Sequence, residues 1–144
     1  MKYIKEITGK QTYCIRKEVL RKGIDLPYKF DGDNHQKTIH LGAFKKKKLI
    51  GVVSFMHESL NEKREDEYQL RGMATIIDVR GDGFGSLLVK EGIQILLKRD
   101  IKYIWCNARE GAVKFYERNG FKIVGTPFNV KQIGVHYKMK LKIG

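Results

Sequence analysis

The run Gln69-Leu70-Arg71-Gly72-Met73-Ala74-Thr75-Ile76-Ile77-Asp78-Val79-Arg80-Gly81-Asp82-Gly83-Phe84-Gly85-Ser86-Leu87-Leu88 reads as a strand, a glycine-rich turn and the first turns of an amphipathic helix. Gly81, Gly83 and Gly85 stand at alternate positions, where the lack of a Cβ lets backbone approach a ligand closely. A helix opening at Phe84 aims unpaired backbone N–H groups and a positive dipole end at that turn. Phosphate or pyrophosphate suits such a place best, and Arg80 at the lip adds a guanidinium. Many glycine-rich turns only reverse the chain, so the strand–turn–helix setting carries the anion reading.

Around this turn, the 144-residue chain has the size of one domain, read here as residues 1–144. With 42% hydrophobic and 31% charged residues it is expected to be globular and soluble. No apolar run approaches the roughly 20 residues of a membrane span. The start, Met1-Lys2-Tyr3-Ile4-Lys5-Glu6, does not read as a signal peptide. Cys14 and Cys106 lack metal-ligand spacing, and two reduced thiols, read as small buried hydrophobes, fit a reducing cytoplasm. Asp31-Gly32-Asp33-Asn34 hints at a calcium loop but lacks a third acidic ligand and a closing glutamate, so no metal is expected.

Lys+Arg 29 against Asp+Glu 16 leaves a net charge of +13, a field that attracts nucleic acid, acidic proteins or a polyphosphorylated cofactor. The run Lys45-Lys46-Lys47-Lys48 lies between two apolar stretches and reads as a solvated hairpin turn. No basic helix, zinc finger or RNA-recognition motif accompanies the charge. Membrane and nucleic acid are therefore not the expected partners.

Along the chain, residues 2–7 alternate weakly as a first strand. Thr8 caps a helix running to about Arg21, with Ile15, Val19 and Leu20 inward and Gly23 as its stop. Residues 24–37 form a long loop, a candidate wall of a binding site. Residues 38–44 and 49–56 pair around the lysine turn, and residues 57–67 make a polar connection. In the strand at 68–77, alternation separates Leu70, Gly72, Ala74 and Ile76, expected under a helix, from Gln69, Arg71, Met73 and Thr75. A functional cleft explains Arg71 better than burial, because an unpaired buried charge costs several kcal/mol.

The helix at 84–99 carries Phe84, Leu87, Leu88, Ile95 and Leu96 on one side. A short strand at 101–107 places Tyr103, Trp105 and Asn107 on one face. A helix at 110–119 follows, with Ala112, Phe115 and Tyr116 on one stripe and Gly120 as its stop. Residues 121–125 and 134–143 close the chain as strands. This order predicts an α/β chain with one mixed sheet covered by helices on both faces. The crossover through the Phe84 helix makes the strands at 68–77 and 101–107 parallel, with ligands at their carboxyl ends.

These residues resemble the GNAT superfamily of N-acetyltransferases. Its acetyl-coenzyme A signature is Gln or Arg, two residues, Gly, one residue, then Gly or Ala, and Arg80-Gly81-Asp82-Gly83-Phe84-Gly85 matches it fully. A second family block of Asn, Ala, Phe-Tyr and Gly-Phe appears as Asn107-Ala108, Phe115-Tyr116 and Gly120-Phe121. The element order agrees from end to end. The Gln69-to-Ala74 run and Gly134-Val135-His136-Tyr137-Lys138-Met139 also look like a bacterial subgroup of small acetyltransferases. One position departs: Asp82 stands where the family often has Lys, and a carboxylate beside a pyrophosphate repels it unless it points to solvent.

The resemblance implies a mostly antiparallel sheet whose one parallel pair forms a cleft for acetyl-CoA, the cosubstrate. It implies direct acetyl transfer to an amine of a small molecule or a protein. Backbone at Met73, Ala74 and Thr75 would hold the pantetheine, and Arg80, Gly81, Asp82, Gly83, Phe84, Gly85 and Ser86 the pyrophosphate. Asn107 and Phe115 would complete that site. Tyr116 matches the general acid, although an apolar stripe equally suits a core tyrosine, and a phenol of pKa about 10 donates only as charge develops. Gln69 and Arg71 face the acceptor without titrating usefully. For the base, Glu67 could relay through water, and His136 has the right chemistry for proton removal or substrate contact. Dimers are common in the family, so a homodimer stays open.

Two other readings remain open on residues alone. Gly81-Asp82-Gly83-Phe84-Gly85-Ser86 approaches the Rossmann fingerprint of a dinucleotide-binding oxidoreductase but lacks the third glycine. Charge alone allows a nucleic-acid-binding module.

Overall fold

The computed structural model describes residues 2–61 and 63–144. Strand β1 (Lys2–Ile7) leads to helix α1 (Gly9–Ile15), which continues as a π turn over Arg16–Leu20. Thr8 caps α1 reciprocally: its hydroxyl accepts from the Gln11 N–H, and its own N–H donates to Gln11 Oε1 at 2.8 Å. Strands β2 (Ile39–Lys45) and β3 (Lys48–Met56) form the hairpin, with Lys46 and Lys47 at positive φ in its turn. Next come β4 (Glu67–Thr75), a 3-10 turn at Ile77–Val79, α2 (Phe84–Lys98) and β5 (Tyr103–Arg109). A 3-10 turn at Glu110–Ala112, α3 (Val113–Arg118), β6 (Lys122–Ile123), β7 (Phe128–Val130) and β8 (Gly134–Lys142) complete the chain.

The strands form one sheet in the order β1-β2-β3-β4-β5-β8-β6, with β7 also paired to β8. Every pairing is antiparallel except β4 with β5, as the helical crossover requires. Helices cover both faces. Leu88, Val89 and Leu96 of α2 and Tyr116 of α3 pack on Val53, Phe55, Leu70, Ile104 and Met139. On the other face Ile15 of α1 meets Ile7, Phe44, Val52 and Ala74. Each large side chain so buried stabilises the fold by roughly 1.5–3 kcal/mol. Gly92, mid-helix in α2, is required because a Cβ there would enter the Phe55 ring.

The alternation expected along β4 does not hold through the strand. Ser54 pairs with Arg71, but Val52 pairs with Ala74, so β4 carries one extra residue there. Gly72 supplies the bulge at φ 63°. Leu70 therefore packs in the α2 cluster while Ala74 packs in the α1 cluster, and Met73 turns to the α2 side. Two smaller expectations also shift. The fifth strand starts at Tyr103 rather than 101, because the Lys102 and Tyr103 N–H groups both donate to the Asp66 carbonyl. Of the two cysteines expected inside, Cys106 is buried but Cys14, on the outer side of α1, is exposed.

Candidate active site

The parallel ladder between β4 and β5 is short. It holds Glu67 with Tyr103, Tyr68 with Ile104 and Gln69 with Trp105, and there the register ends. Each strand runs on, β4 to Thr75 and β5 to Arg109, so the two separate and leave a cleft of about 280 Å³. Gln69, Arg71, Gly72 and Met73 line it from β4, and Asn107 and Ala108 from β5. Tyr116 and Phe128 face it from the later segments, as does His136 from β8.

The glycine turn lies beyond the end of β4. Gly83, at φ 83°, is the N-cap of α2 and offers no side chain, so the N–H groups of the first helical turn stay open. A Cβ at Gly81 or Gly83 would meet nothing, and both sit at positive φ, so this backbone is bare on its outer side. Gly85 differs from its neighbours: a Cβ there would lie 2.9 Å from Phe115 Cε1, so this glycine serves the seating of α3 on α2. Asn119 ties the same two helices by donating to Ser86 Oγ at 3.2 Å. Arg80 turns back to donate to the Thr75 carbonyl at 3.4 Å. Asp82 is half-exposed and pairs with Lys45 of β2 at 3.5 Å, away from the bare backbone. Open N–H donors, two uncovered glycines and a diverted carboxylate fit a pyrophosphate.

Tyr116 is buried, between Phe115 and Phe121, with ring centroids at 5.0 and 5.4 Å. Burial, and then Cys106 beside it, raise its phenol well above the usual range, so it stays protonated. Burial likewise pushes the Cys106 thiol up to about 12. Asn107 accepts from Lys138 Nζ at 3.0 Å. His136 is buried, with Nδ1 2.9 Å from the Gly134 carbonyl and its ring against Phe128. Tyr116, His136, Asn107, Gln69 and Arg71 thus share one cleft. Glu67 does not join them. Its carboxylate receives the Leu60 N–H at 3.2 Å and pairs with Lys140 at 3.5 Å and Arg64 at 3.8 Å.

The sequence reading missed what stands behind Arg71. Arg16, fully buried, donates to both oxygens of Asp33, at 2.8 and 3.0 Å, and to Ser54 Oγ at 2.9 Å. His40 completes this network, contacting Ser54 Oγ at 2.6 Å and the Asp33 carbonyl at 2.8 Å. Burial alone would raise the Asp33 carboxyl, but hydrogen bonds from Arg16 and the Phe30 N–H, with the charges of Arg16 and His40, hold it low. The aspartates at 31 and 33 resembled a failed calcium loop, and nothing local linked Asp33 to a helix seventeen positions earlier. Arg21 and Arg109, also on the cleft, were missed for the same reason.

Known proteins agree with this geometry. The sequence profile of the acetyltransferase (GNAT) family matches residues 4–121. An uncharacterized N-acetyltransferase of Bacillus subtilis (strain 168), YitI, is 35% identical over 138 residues, covering 94% of this chain and 93% of that protein. The fold is similar to the ribosomal-protein-S18-alanine N-acetyltransferase of Escherichia coli, with TM-score 0.79 at 19% identity, over 100% of this chain and 95% of that one. It is also similar to an aminoglycoside 6'-N-acetyltransferase complexed with coenzyme A, with TM-score 0.77 at 14% identity, over 99% and 97%. A matching family profile over most of the chain, with a bare glycine turn beside two parting parallel strands, means that this protein belongs to the GNAT acetyltransferase family and uses acetyl-CoA.

Proposed function

We propose that the protein moves the acetyl group of acetyl-CoA to a primary amine by direct attack within the β4–β5 cleft. The observation that carries this reading is the parting of β4 and β5 after Gln69 and Trp105, with Tyr116 on the gap. Acetyl-CoA supplies an acetyl group activated as a thioester. In the run from Arg80 to Ser86, the N–H groups of Arg80 and Asp82 already donate to the Ile77 and Val79 carbonyls. Those of Gly81 and of Gly83 to Ser86 would therefore hold the pyrophosphate of acetyl-CoA, and backbone at Met73, Ala74 and Thr75 its pantetheine arm. Asn107 and Phe115 would line the same passage.

Donors aimed at the carbonyl oxygen stabilise charge as it develops; in other acyl transfers one such donor is worth about 2.7–4 kcal/mol. Tyr116 holds a proton on its phenol and releases it toward the departing sulfur. Its burial keeps that proton in place until negative charge appears there. Gln69 and Arg71 orient the acceptor from β4. His136 contacts the acceptor or takes the amine proton through its free ring nitrogen, since Nδ1 is engaged by Gly134. Glu67 supports the start of β4 and stays outside the chemistry, its oxygens being occupied by Leu60, Lys140 and Arg64.

The test is calorimetric titration with acetyl-CoA, using NADPH as control, followed by mass spectrometry of amines incubated with enzyme and acetyl-CoA. Saturable binding of acetyl-CoA alone and an amine product carrying one added acetyl group are expected. Preferred binding of NADPH would overturn the reading.

A further inference from the structure

The cleft is lined at one end by Arg21, Arg71 and Arg109, and among the described residues no carboxylate side chain lines it. Two of these guanidiniums converge on a single atom: Arg21 donates to the Leu20 carbonyl at 3.2 Å and Arg109 donates to the same oxygen at 2.9 Å. Leu20 ends the π turn after α1, so the partner they share there is the carbonyl at a helix carboxyl end. Arg21 is further fixed by donating to the Pro27 carbonyl at 2.9 Å. Arg71 stacks on Phe30 at 4.3 Å and Arg21 lies 5.8 Å from the same ring. Backbone and an aromatic ring thus hold like charges together, with N–H donors left over on each.

Such a cluster repels itself. Burial first, then the charges of Arg109, Arg71 and Arg16, lower the Arg21 pKa, and burial lowers that of Arg109. Asp33, Asp31 and Glu58 partly compensate Arg71, whereas among the described residues no carboxylate does so for the other two. Residues 80–86 do not line this cleft, so the cluster is separate from the glycine turn.

We infer that this end of the cleft is an anion subsite, and that the acceptor amine carries a carboxylate or phosphate group held by Arg21, Arg71 and Arg109. The assignment to the acceptor rests on the acetyl-transfer reading above. A guanidinium fork matches both anions in the same bidentate geometry.

The experiment titrates glutarate and, separately, inorganic phosphate into protein already saturated with coenzyme A. At least one should bind. Glutarate alone indicates carboxylate-bearing acceptors and phosphate alone phosphorylated ones. Arg109→Gln and Arg71→Gln should each weaken binding at least tenfold, while Lys98→Gln, at the exposed end of α2, should leave it unchanged. Thermal melts report folding; should Arg109→Gln fail to fold, Arg71→Gln decides, since its stacking leaves no backbone carbonyl unpaired. The subsite is refuted if neither anion binds wild-type protein, or if Arg71→Gln binds as tightly as wild type. Coenzyme A failing to bind at the outset would count instead against the cofactor site, and titration of the free protein would still read the arginines.

Discussion

Leu70 and Ala74 lie four positions apart on β4 yet pack on opposite faces of the sheet, because the bulge at Gly72 inserts one residue between them. The bulge lets a single strand serve two purposes. Before it, Gln69 and Arg71 face the cleft on the α1 side; after it, Met73 turns toward α2 and the glycine turn. Gly72→Ala should cost about 1–3 kcal/mol, from positive φ and a Cβ 3.1 Å from both Arg16 Nε and Phe30. Urea unfolding measures this, and an unchanged midpoint would mean the bulge relaxes freely.

The bare backbone of the turn sets the second expectation. Gly83→Val should abolish coenzyme A binding, since its side chain enters the open space above φ 83°. Calorimetry on a variant shown to be folded decides it. Normal affinity would move the pyrophosphate elsewhere.

Tyr116→Phe should lower kcat by roughly 10²–10⁴-fold and leave the dissociation constant of coenzyme A nearly unchanged. Stopped-flow or steady-state assays on an accepted amine read the first, calorimetry the second. Unchanged turnover would return Tyr116 to a purely packing role.

The same phenol links stability to alkaline pH. Its folded-state pKa is raised, so its contribution is full below the unfolded value of about 10 and is lost as pH rises through the folded value. Wild type should therefore lose stability above about pH 10 more steeply than Tyr116→Phe. Melting temperatures across that range compare them, and parallel curves would contradict the burial argument.

Asp33 acts at the opposite limb. Its folded pKa is lowered, so its contribution is present above the unfolded value of about 3.9 and lost as pH falls through the folded one. Asp33→Asn strands the buried Arg16 charge and should cost about 3–5 kcal/mol at neutral pH. Denaturant titrations from neutral to acid pH should show the gap between wild type and variant narrowing below the unfolded value of about 3.9 and closing only once pH passes the lowered folded value, where both lack the carboxylate.

Much of this protein was legible locally. Thr8 before an apolar-periodic run, the lysine turn between two apolar strands, and Gly120 after a stripe of Ala112, Phe115 and Tyr116 are signals complete within a few residues. The glycine turn belongs with them: left-handed positions favour glycine, and Gly81 and Gly83 adopt φ 91° and 83°. The parallel pair followed as well, because parallel neighbours need a crossover connection and α2 supplies one between β4 and β5. What the third glycine does was not legible, since Gly85 answers to Phe115, thirty residues later.

Periodicity and spacing by themselves pointed to one mixed sheet with helices on both faces and to a glycine turn opening a helix, since each of those signals is complete within a few neighbouring residues. Tertiary structure alone decided which way β4 faces past Gly72, that Arg16 is neutralised by Asp33, that Glu67 is occupied, and that Arg21 and Arg109 meet at the Leu20 carbonyl. Side-chain direction and charge pairing depend on distant segments arriving at the same place. No local pattern encodes that arrival.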